Sequence, residues 1–164
     1  MSTLSANSET AVCTICKPPA RPPICGKSVY LAGSINMGSA TDWQAKVTSS
    51  LSHLPITFFN PRRDDWCKDW MQEISNPQFR EHVEWELDYL DRADVIAMFF
   101  DKNSISPISL LELGLYALSR KMVVCCPEGY WRRGNVQIIC NRFGIQLVEN
   151  LEEFIGETRK MLEI

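Results

Sequence analysis

The sequence predicts an α/β fold of the doubly wound, Rossmann- or flavodoxin-like type, with a parallel sheet of about five strands and helices on both faces. Short apolar runs alternate with longer segments in which apolar residues recur at helical spacing. Strands buried on both faces have this continuously apolar pattern, and regular alternation with helices is typical of a parallel sheet. Polar, irregular stretches follow the predicted strands, which places them at the carboxyl edge, where such folds bind ligands.

The predicted elements follow one another without an internal repeat. Strands are predicted from the apolar segments SVYLAGSI, PITFFNP, DVIAMFF, MVVCCP and IQLVEN. Helices are predicted over residues 41–54, capped by Thr41 or Asp42, over 77–93, beginning at Pro77, over 108–121 and over 151–164, with a short helix or turn over 136–144. The loops at the carboxyl edge are GSINMG, NPRRDDW, DKNSISP and EGYWRRGN.

One domain, residues 27–164, is predicted to account for most of the chain. The 164 residues are 45% hydrophobic and 23% charged, which is typical of a single globular domain with a sizeable core. Residues 1–26 are rich in Ser, Thr and Pro, and the stretch KPPARPP imposes an extended backbone. We therefore expect a flexible tail at this end, or a strap that lies on the domain surface.

Charge and hydropathy exclude several classes of partner. The net charge is −3, so no basic surface favours duplex nucleic acid. No apolar run approaches the roughly 18–20 residues that cross a bilayer, and the N-terminus lacks the charged start and apolar core of a signal peptide. We expect no membrane contact and a cytoplasmic location.

The seven cysteines are expected to be free thiols. Cys13, Cys16 and Cys25 form a C-x-x-C pair plus one further thiol, whereas a structural zinc site takes four ligands. His53 and His82, the two histidines, lie far from that segment in the sequence. We therefore expect no metal.

The turn AGSINMG contains Gly33 and Ser34 directly after a predicted strand. Backbone N–H groups at such a turn suit an anion or a sugar hydroxyl. Neither the dinucleotide-binding fingerprint nor the P-loop fingerprint is present. A simple strand-to-helix turn explains the residues equally well.

The NPRRDDW loop combines Asn60, Arg62, Arg63, Asp64 and Trp66 within seven residues. Arginines bind phosphate or carboxylate in bidentate fashion, and carboxylates accept hydrogen bonds from sugar hydroxyls or base amines. The tryptophan is suited to stacking on a base. A solvated loop explains the charges but explains the aromatic residues less well, so we favour ligand contact.

Glu112 is the one charge in the apolar segment SISPISLLELGLYALS. A carboxylate in such a setting gives up part of its hydration, which is costly unless something is gained. Pairing with an arginine or capping of its own helix would provide a structural reason. A partly buried carboxylate near Ser104, Ser106 and Ser109 at a crevice is also what a nucleophile needs, and we favour that interpretation.

Four segments resemble the nucleoside 2-deoxyribosyltransferase-like family: VYLAGSI, NPRRDDW, WELDYLDRADVIAMFF and SPISLLELGLYALS. They occur in the order expected of the family, and the resemblance as a whole covers roughly residues 28–143. The resemblance implies an enzyme that cleaves the N-glycosidic bond of small-molecule (deoxy)nucleosides or nucleotides and transfers the sugar to another base or to water. It implies neither a metal nor an organic cofactor.

The resemblance also implies catalytic roles. Glu112 matches the glutamate of the family's ELG-x-A helix, which forms a covalent bond to the anomeric carbon, and Tyr30 matches a tyrosine that holds this nucleophile. Glu86 is the best match to an acid that contacts the base, and Asp88 is the next best match. Such an acid can protonate the leaving base. Ser106 occupies a position where well-studied members have an aspartate that serves the base.

Further roles implied by the resemblance concern substrate binding and assembly. Ser106 and Ser109 match loop serines that contact phosphate in nucleotide-cleaving relatives. The pairs Arg62–Arg63 and Arg132–Arg133 exceed what a neutral nucleoside needs and suit a 5′-phosphate. Asn135 matches an asparagine that reaches the sugar from a neighbouring subunit, which implies a homodimer or a larger homo-oligomer with shared active sites.

The sequence therefore predicts a deoxyribosyltransferase-like enzyme of nucleotide salvage that forms a glycosyl-Glu112 intermediate. One alternative keeps this chemistry and makes the protein a nucleotide N-hydrolase acting on a 5′-monophosphate or an NAD-type substrate. Another is a catalytically silent nucleotide-binding module whose KPPARPP segment recruits a partner. Release of a free base separates the enzymes from the silent module.

Overall fold

The computed structural model describes residues 12–35 and 42–164, and its centre is a six-stranded parallel sheet. The strands are β1 (Thr14–Cys16), β2 (Lys27–Gly33), β3 (Ile56–Phe59), β4 (Val95–Phe99), β5 (Met122–Cys125) and β6 (Gln146–Val148). The helices are α1 (Trp43–Ser50), α2 (Pro77–Arg92), α3 (Pro107–Tyr116), α4 (Arg133–Phe143) and α5 (Leu151–Leu162). The predicted doubly wound α/β class is confirmed.

The strand order is β1-β3-β2-β4-β5-β6. Without β1 this is the flavodoxin-like order, in which the chain winds outward in both directions from two central strands. Here those strands are β2 and β4, paired from Val29 opposite Val95 to Gly33 opposite Phe99. Ligand crevices form at the carboxyl ends of the strands where the winding direction changes. The topology therefore places the crevice beyond Gly33 and Phe99.

The strand count differs from the prediction of about five because part of the expected tail joins the sheet. Thr14–Cys16 pairs in parallel with β3 and forms an edge strand. Residues 17–25 then lie as a strap on the domain, where the Ala20 carbonyl accepts a hydrogen bond from the Trp85 indole and the Cys25 carbonyl accepts one from the Thr57 hydroxyl. Residues 1–11 of the predicted tail lie outside the described residues.

Two apolar layers flank the sheet, because successive side chains of each buried strand point to opposite faces. Val29 and Leu31 pack with residues of α1 and α5, including Trp43 and Phe154. On the other face Tyr30 and Ala32 pack with residues of α2, α3 and α4, including Trp85, Leu113 and Val136. The candidate residues Tyr30, Glu86 and Glu112 therefore belong to the same side of the sheet.

Side-chain caps fix the start of three helices. The carboxylate of Asp42 accepts a hydrogen bond from the Ala45 N–H, so Asp42 is the observed cap, whereas Thr41 lies outside the described residues. Asn76 accepts from the N–H groups of residues 78 and 79, and Asn150 accepts from that of residue 153. Such caps satisfy backbone donors that the first helical turn leaves free.

The part of the chain that the structure describes has no helix long and apolar enough to cross a membrane. All seven cysteines lie in the described ranges and are free thiols. Cys16, Cys125, Cys126 and Cys140 are buried among apolar side chains. No group of three or more His, Cys, Asp or Glu side chains in residues 12–35 and 42–164 is arranged to hold a metal ion.

Candidate active site

Two adjoining cavities open at the carboxyl edge of the sheet. The Glu112 cavity, of about 620 Å³, is lined by side chains from β2, α2, α3 and the loop before α3. The Arg62 cavity, also about 620 Å³, is lined by Lys17, Asp42, Arg62, Arg63 and Asp64. Five further residues line both cavities: Ile35, Pro61, Trp66, Gln72 and His82. The two cavities therefore form one continuous crevice.

Glu112 lies in the middle of α3 with its side chain turned toward the sheet. Only 7% of the residue is exposed. Burial, followed by the negative charge of Glu86, raises the pKa of the Glu112 carboxyl to about 8. Three of the apolar residues near it in sequence, Ile108, Leu111 and Leu115, are each 59% exposed and line the same cavity. The structure gives Glu112 neither an arginine partner nor a capping role within the described residues.

Glu86 faces the Glu112 cavity from α2 and is held by a histidine. Oε1 of Glu86 lies 3.2 Å from Nε2 of His82, one helical turn earlier. The imidazole in turn contacts the Trp66 ring at a centroid distance of 5.1 Å. The Nδ1 atom of His82 is buried and has no partner among the described residues. The pair thus brings a titratable acid and an imidazole to the wall shared by the two cavities.

Tyr30 lines the floor of the Glu112 cavity from β2. Its hydroxyl is buried and has no hydrogen-bond partner in the described part of the chain. Burial, together with the charges of Glu86 and Glu112, raises the pKa of the phenol well above its usual value. A phenol that stays protonated beside two carboxylates can donate its hydrogen bond to whichever of them ionises.

The loop before α3 is fixed by hydroxyl and backbone contacts. Ser106, the N-cap residue of α3, has a left-handed backbone with φ 44°. Its hydroxyl lies 2.6 Å from that of Ser34 and 2.7 Å from that of Ser104. The carbonyl of Ile105 accepts hydrogen bonds from the Tyr130 hydroxyl and the Trp131 indole. A left-handed non-glycine backbone is strained and persists only where the surroundings hold it.

Gly33 and Ser34 have structural contacts that explain the glycine-serine turn. Gly33 has φ +125°, and a Cβ there would lie 2.1 Å from the carbonyl oxygen of Phe99. The backbone N–H of Ser34 donates to that same carbonyl, and the Ser34 hydroxyl accepts from the Asp101 N–H. The Ser34 N–H is therefore occupied, while Gly33 itself lines the Glu112 cavity. Residues 36–41 of this turn lie outside the described residues.

The two arginines of the NPRRDDW loop have different environments. The Arg63 guanidinium is bound by Asp65 and Glu81 and stacks on Trp70 at 4.9 Å, so its donors are largely occupied. Arg62 donates from Nε to the amide oxygen of Gln44 at 2.9 Å. Its Nη2 atom is buried and finds no partner among residues 12–35 and 42–164. Of the two arginines in this loop, Arg62 is therefore the one whose guanidinium retains an unpaired hydrogen-bond donor among the described residues.

The crevice brings together most of the candidate residues: Tyr30, Gly33, Glu86, Ser106, Ser109 and Glu112 in the Glu112 cavity, Arg62, Arg63 and Asp64 in the Arg62 cavity, and Trp66 in both. Ser34 lies beneath Ser106. Ser34 and three other candidates line neither cavity. Asn60 accepts a hydrogen bond from the Arg62 N–H, Asp88 pairs with Arg21 of the strap at 2.5 Å, and Asn135 is exposed on α4.

Sequence reasoning missed His82, Gln72 and Lys17, which all line the crevice. The signal for His82 was present, because it precedes Glu86 by four residues and residues at that spacing share a helix face. Gln72 lies in a segment without periodicity. Lys17 belongs to the strap, whose course along the domain has no sequence signature.

Comparison with known proteins identifies the family of the chain. The fold and crevice define an α/β domain with a buried carboxyl at the carboxyl edge of its sheet. Residues 26–130 match the model of the family described as "Nucleoside 2-deoxyribosyltransferase like", and the chain therefore belongs to this family. No curated protein sequence is significantly similar to the chain.

Among solved structures the fold is similar to that of a conserved protein from Enterococcus faecalis V583. The TM-score is 0.59 with 11% sequence identity, over 83% of this chain and 99% of the other. At this identity the similarity shows the shared fold alone. Both the family match and the predicted fold class are thus consistent with the described topology.

Proposed function

We propose that the protein is an N-glycosyl transferase or hydrolase that cleaves (deoxy)nucleosides or nucleotides through a glycosyl intermediate on Glu112. The observation that carries the proposal is the position of Glu112: a buried carboxyl with a raised pKa, in a cavity it shares with Tyr30 and Glu86. Family membership supports this class of chemistry. Desolvation makes a carboxylate a better nucleophile once it ionises.

In the first half-reaction one bond forms and one bond breaks. A carboxylate oxygen of Glu112 bonds to the anomeric carbon, the N-glycosidic bond breaks, and its electron pair goes to the base nitrogen. Glu86 supplies a proton to the departing base, and His82 at 3.2 Å stabilises the resulting carboxylate. Tyr30 keeps its proton and stabilises the ionised form of Glu112 before attack by donating a hydrogen bond to it.

The second half-reaction reverses these roles. An acceptor, either a second base or water, attacks the anomeric carbon, and the carboxylate of Glu112 leaves. Glu86 takes the proton that the acceptor loses, so the enzyme returns to its starting state. Two displacements at one carbon retain the anomeric configuration of the sugar.

We further propose that the active form is a homodimer or a larger homo-oligomer. The α3 apolar face consists of Ile108, Leu111 and Leu115 of α3 and Leu118 of the turn that follows, and these residues are 59% to 79% exposed. The first three of these residues also line the mouth of the Glu112 cavity. Contiguous exposed apolar surface of this kind is typical of protein interfaces. A second copy packed on it would close the cavity and explain why Asn135 lies outside this chain's own crevice.

The test is a chromatographic assay of nucleosides, deoxynucleosides, their monophosphates and NAD, each with and without a second free base. We expect base exchange or base release with the unmodified chain and its loss in Glu112→Gln. Glu84→Gln serves as the matched control, because Glu84 is an exposed acid of α2 paired with Arg80. Release of base by Glu112→Gln at the unmodified rate would refute the proposal, and no turnover of any compound would favour a binding module.

A further inference from the structure

The N-terminal strap supplies one wall of the Arg62 cavity, although it precedes the residues that match the family model. Lys17, the first strap residue after β1, lines this cavity. The strap is held in place along its length: β1 pairs with β3, the Asn60 N–H donates to the Cys16 carbonyl, and Arg21 pairs with Asp88. The ammonium group of Lys17 is therefore anchored close to the cavity.

The cations of this cavity differ in their availability. Arg63 is bound by Asp65 and Glu81, and its side chain is 5% exposed. Lys17 has Asp64 as its partner at 2.7 Å, and the Asp64 side chain is 81% exposed. An ion pair with so exposed a partner is weak and easily exchanged. Arg62 retains a buried Nη2 without a partner in the described residues. Lys17 and Arg62 are thus the groups that can bind an incoming anion.

The carboxylates of the cavity are positioned to allow this exchange. Asp42 caps α1 and lies 3.7 Å from Nε of Arg62, so its charge is already engaged. Asp64 can turn into solvent when an anion takes its place at Lys17. An ammonium group and a free guanidinium nitrogen together bind most tightly an anion that accepts several hydrogen bonds at once. This pair of donors therefore favours a phosphoryl group over a carboxylate.

We propose that the Arg62 cavity is an anion subsite in which Lys17 of the strap and Arg62 bind a phosphoryl group of the substrate. This inference rests on the proposed function and narrows its substrate class to nucleotides. The subsite joins the Glu112 cavity along Trp66, Gln72 and His82, so one extended ligand can occupy both. The phosphoryl group is the 5′-phosphate of a mononucleotide or the diphosphate of a dinucleotide.

The test is isothermal titration calorimetry of the full chain carrying Glu112→Gln, so that no ligand is consumed. The probes are nucleosides and deoxynucleosides, their 5′-monophosphates, NAD and inorganic pyrophosphate. We expect phosphorylated ligands to bind more tightly than nucleosides, and we expect Lys17→Gln and Arg62→Gln each to reduce this preference about tenfold, the effect of losing a hydrogen bond to a charged group. A preference for monophosphates would identify the 5′-phosphate, and a preference for NAD the diphosphate.

Asp64→Asn gives a change of opposite sign, because it frees Lys17 from its competitor. It should strengthen the binding of phosphorylated ligands, and a variant that merely loosens the strap would not do so. Lys68→Gln is the matched control, since Lys68 is an exposed lysine in the loop after β3 and lines neither cavity. It should leave the preference unchanged.

Equal binding of nucleosides and phosphorylated ligands would overturn the inference while leaving the proposed function intact. If no nucleoside or nucleotide binds at all, the proposed function fails, and pyrophosphate then decides the subsite. Lys17-dependent binding of pyrophosphate would support it, and binding that is absent or independent of Lys17 would refute it.

Discussion

Glu112 on α3 and Glu86 on α2 face one cavity, and burial together with the charge of Glu86 raises the pKa of Glu112 to about 8. The two carboxyls thus have different properties in the same crevice. One is poised to ionise near neutral pH, and the other is held by His82. Enzymes that cleave glycosidic bonds typically use two carboxyl groups in different environments, one as nucleophile and the other as proton donor.

The pH dependence of activity follows from this relationship. The mechanism needs an ionised Glu112 and a proton on Glu86, so the active form of the pair holds one proton, and kcat/KM of the free enzyme should fall as the pair loses that proton at about pH 8. Glu86→Gln removes both the neighbouring negative charge and the proton donor, so it should abolish this falling limb and lower kcat. A pH–rate profile measures both effects. An unchanged limb in Glu86→Gln would contradict the coupling of the two carboxyls.

Stability should depend on pH through the same group. The carboxyl of Glu112 ionises near pH 4.5 when unfolded and near pH 8 in the folded chain. The folded state therefore binds more protons within this window, so the free energy of unfolding should fall as pH rises through it. Glu112→Gln should remove this slope and be the more stable chain at pH 8, by on the order of a few kcal/mol. Urea unfolding at pH 5 and pH 8 measures the difference, and a parallel pH dependence in both chains would contradict it.

Tyr30→Phe should lower the activity of the enzyme without lowering the stability of its fold. The Tyr30 hydroxyl is buried without a partner among the described residues, so its removal should not lower the free energy of unfolding. The ionised Glu112 would lose a hydrogen-bond donor, and we expect kcat/KM to fall roughly 10- to 100-fold. Thermal unfolding and steady-state kinetics on the same preparation test this. Loss of stability with full activity would mean that the hydroxyl serves only the fold.

Gly33→Ala should destabilise the domain, because the added Cβ would lie 2.1 Å from the Phe99 carbonyl oxygen at a backbone φ of +125°. Both atoms belong to central strands, so neither moves easily, and we expect a loss of about 3 kcal/mol or more in the free energy of unfolding. Gly156→Ala, in the exposed part of α5 with open space around it, is the control and should stabilise by about 0.5–1 kcal/mol. Equal effects of both changes would contradict the close approach of β2 and β4.

Leu118→Glu tests the proposed oligomer. Leu118 is 79% exposed on the α3 apolar face and does not line the Glu112 cavity, so a charge there should disturb an interface without touching the crevice. We expect sedimentation velocity to show a dimer or larger species for the unmodified chain and a monomer for this variant. A monomer in both would refute the assembly.

The sequence was sufficient for the fold class because the central strands are continuously apolar runs and several helices carry clear start signals. Asn76 and Pro77 mark the first residues of α2, and the structure begins that helix at Pro77. The edge strand β1 was missed because it has three residues, Thr14–Cys16, and its partner strand lies 40 residues later. Pairing of so short a segment depends on tertiary contacts with β3 rather than on local pattern.

A site residue could be predicted from the sequence where its own surroundings in the sequence are unusual. It could not be predicted where the packing of a helix decides which side chains face the cavity. Glu112 stands alone in an apolar helix, so its special position could be recognised from the sequence. Glu86 and Asp88 are two residues apart and point to nearly opposite sides of α2. The packing of Trp85 and Tyr89 in the core sets the rotation of that helix, which turns Glu86 to the cavity and Asp88 to Arg21.

Intact-mass spectrometry of the acid-quenched enzyme tests the central claim most directly. The full chain would be mixed with whichever nucleoside or nucleotide it cleaves and quenched within one turnover, with Glu84→Gln as control. The account predicts a mass increase equal to one glycosyl residue, which digestion of the quenched enzyme locates on the peptide that contains Glu112, and its absence in Glu112→Gln. Base release without any such adduct, or an adduct that persists in Glu112→Gln, would contradict a covalent mechanism on this residue.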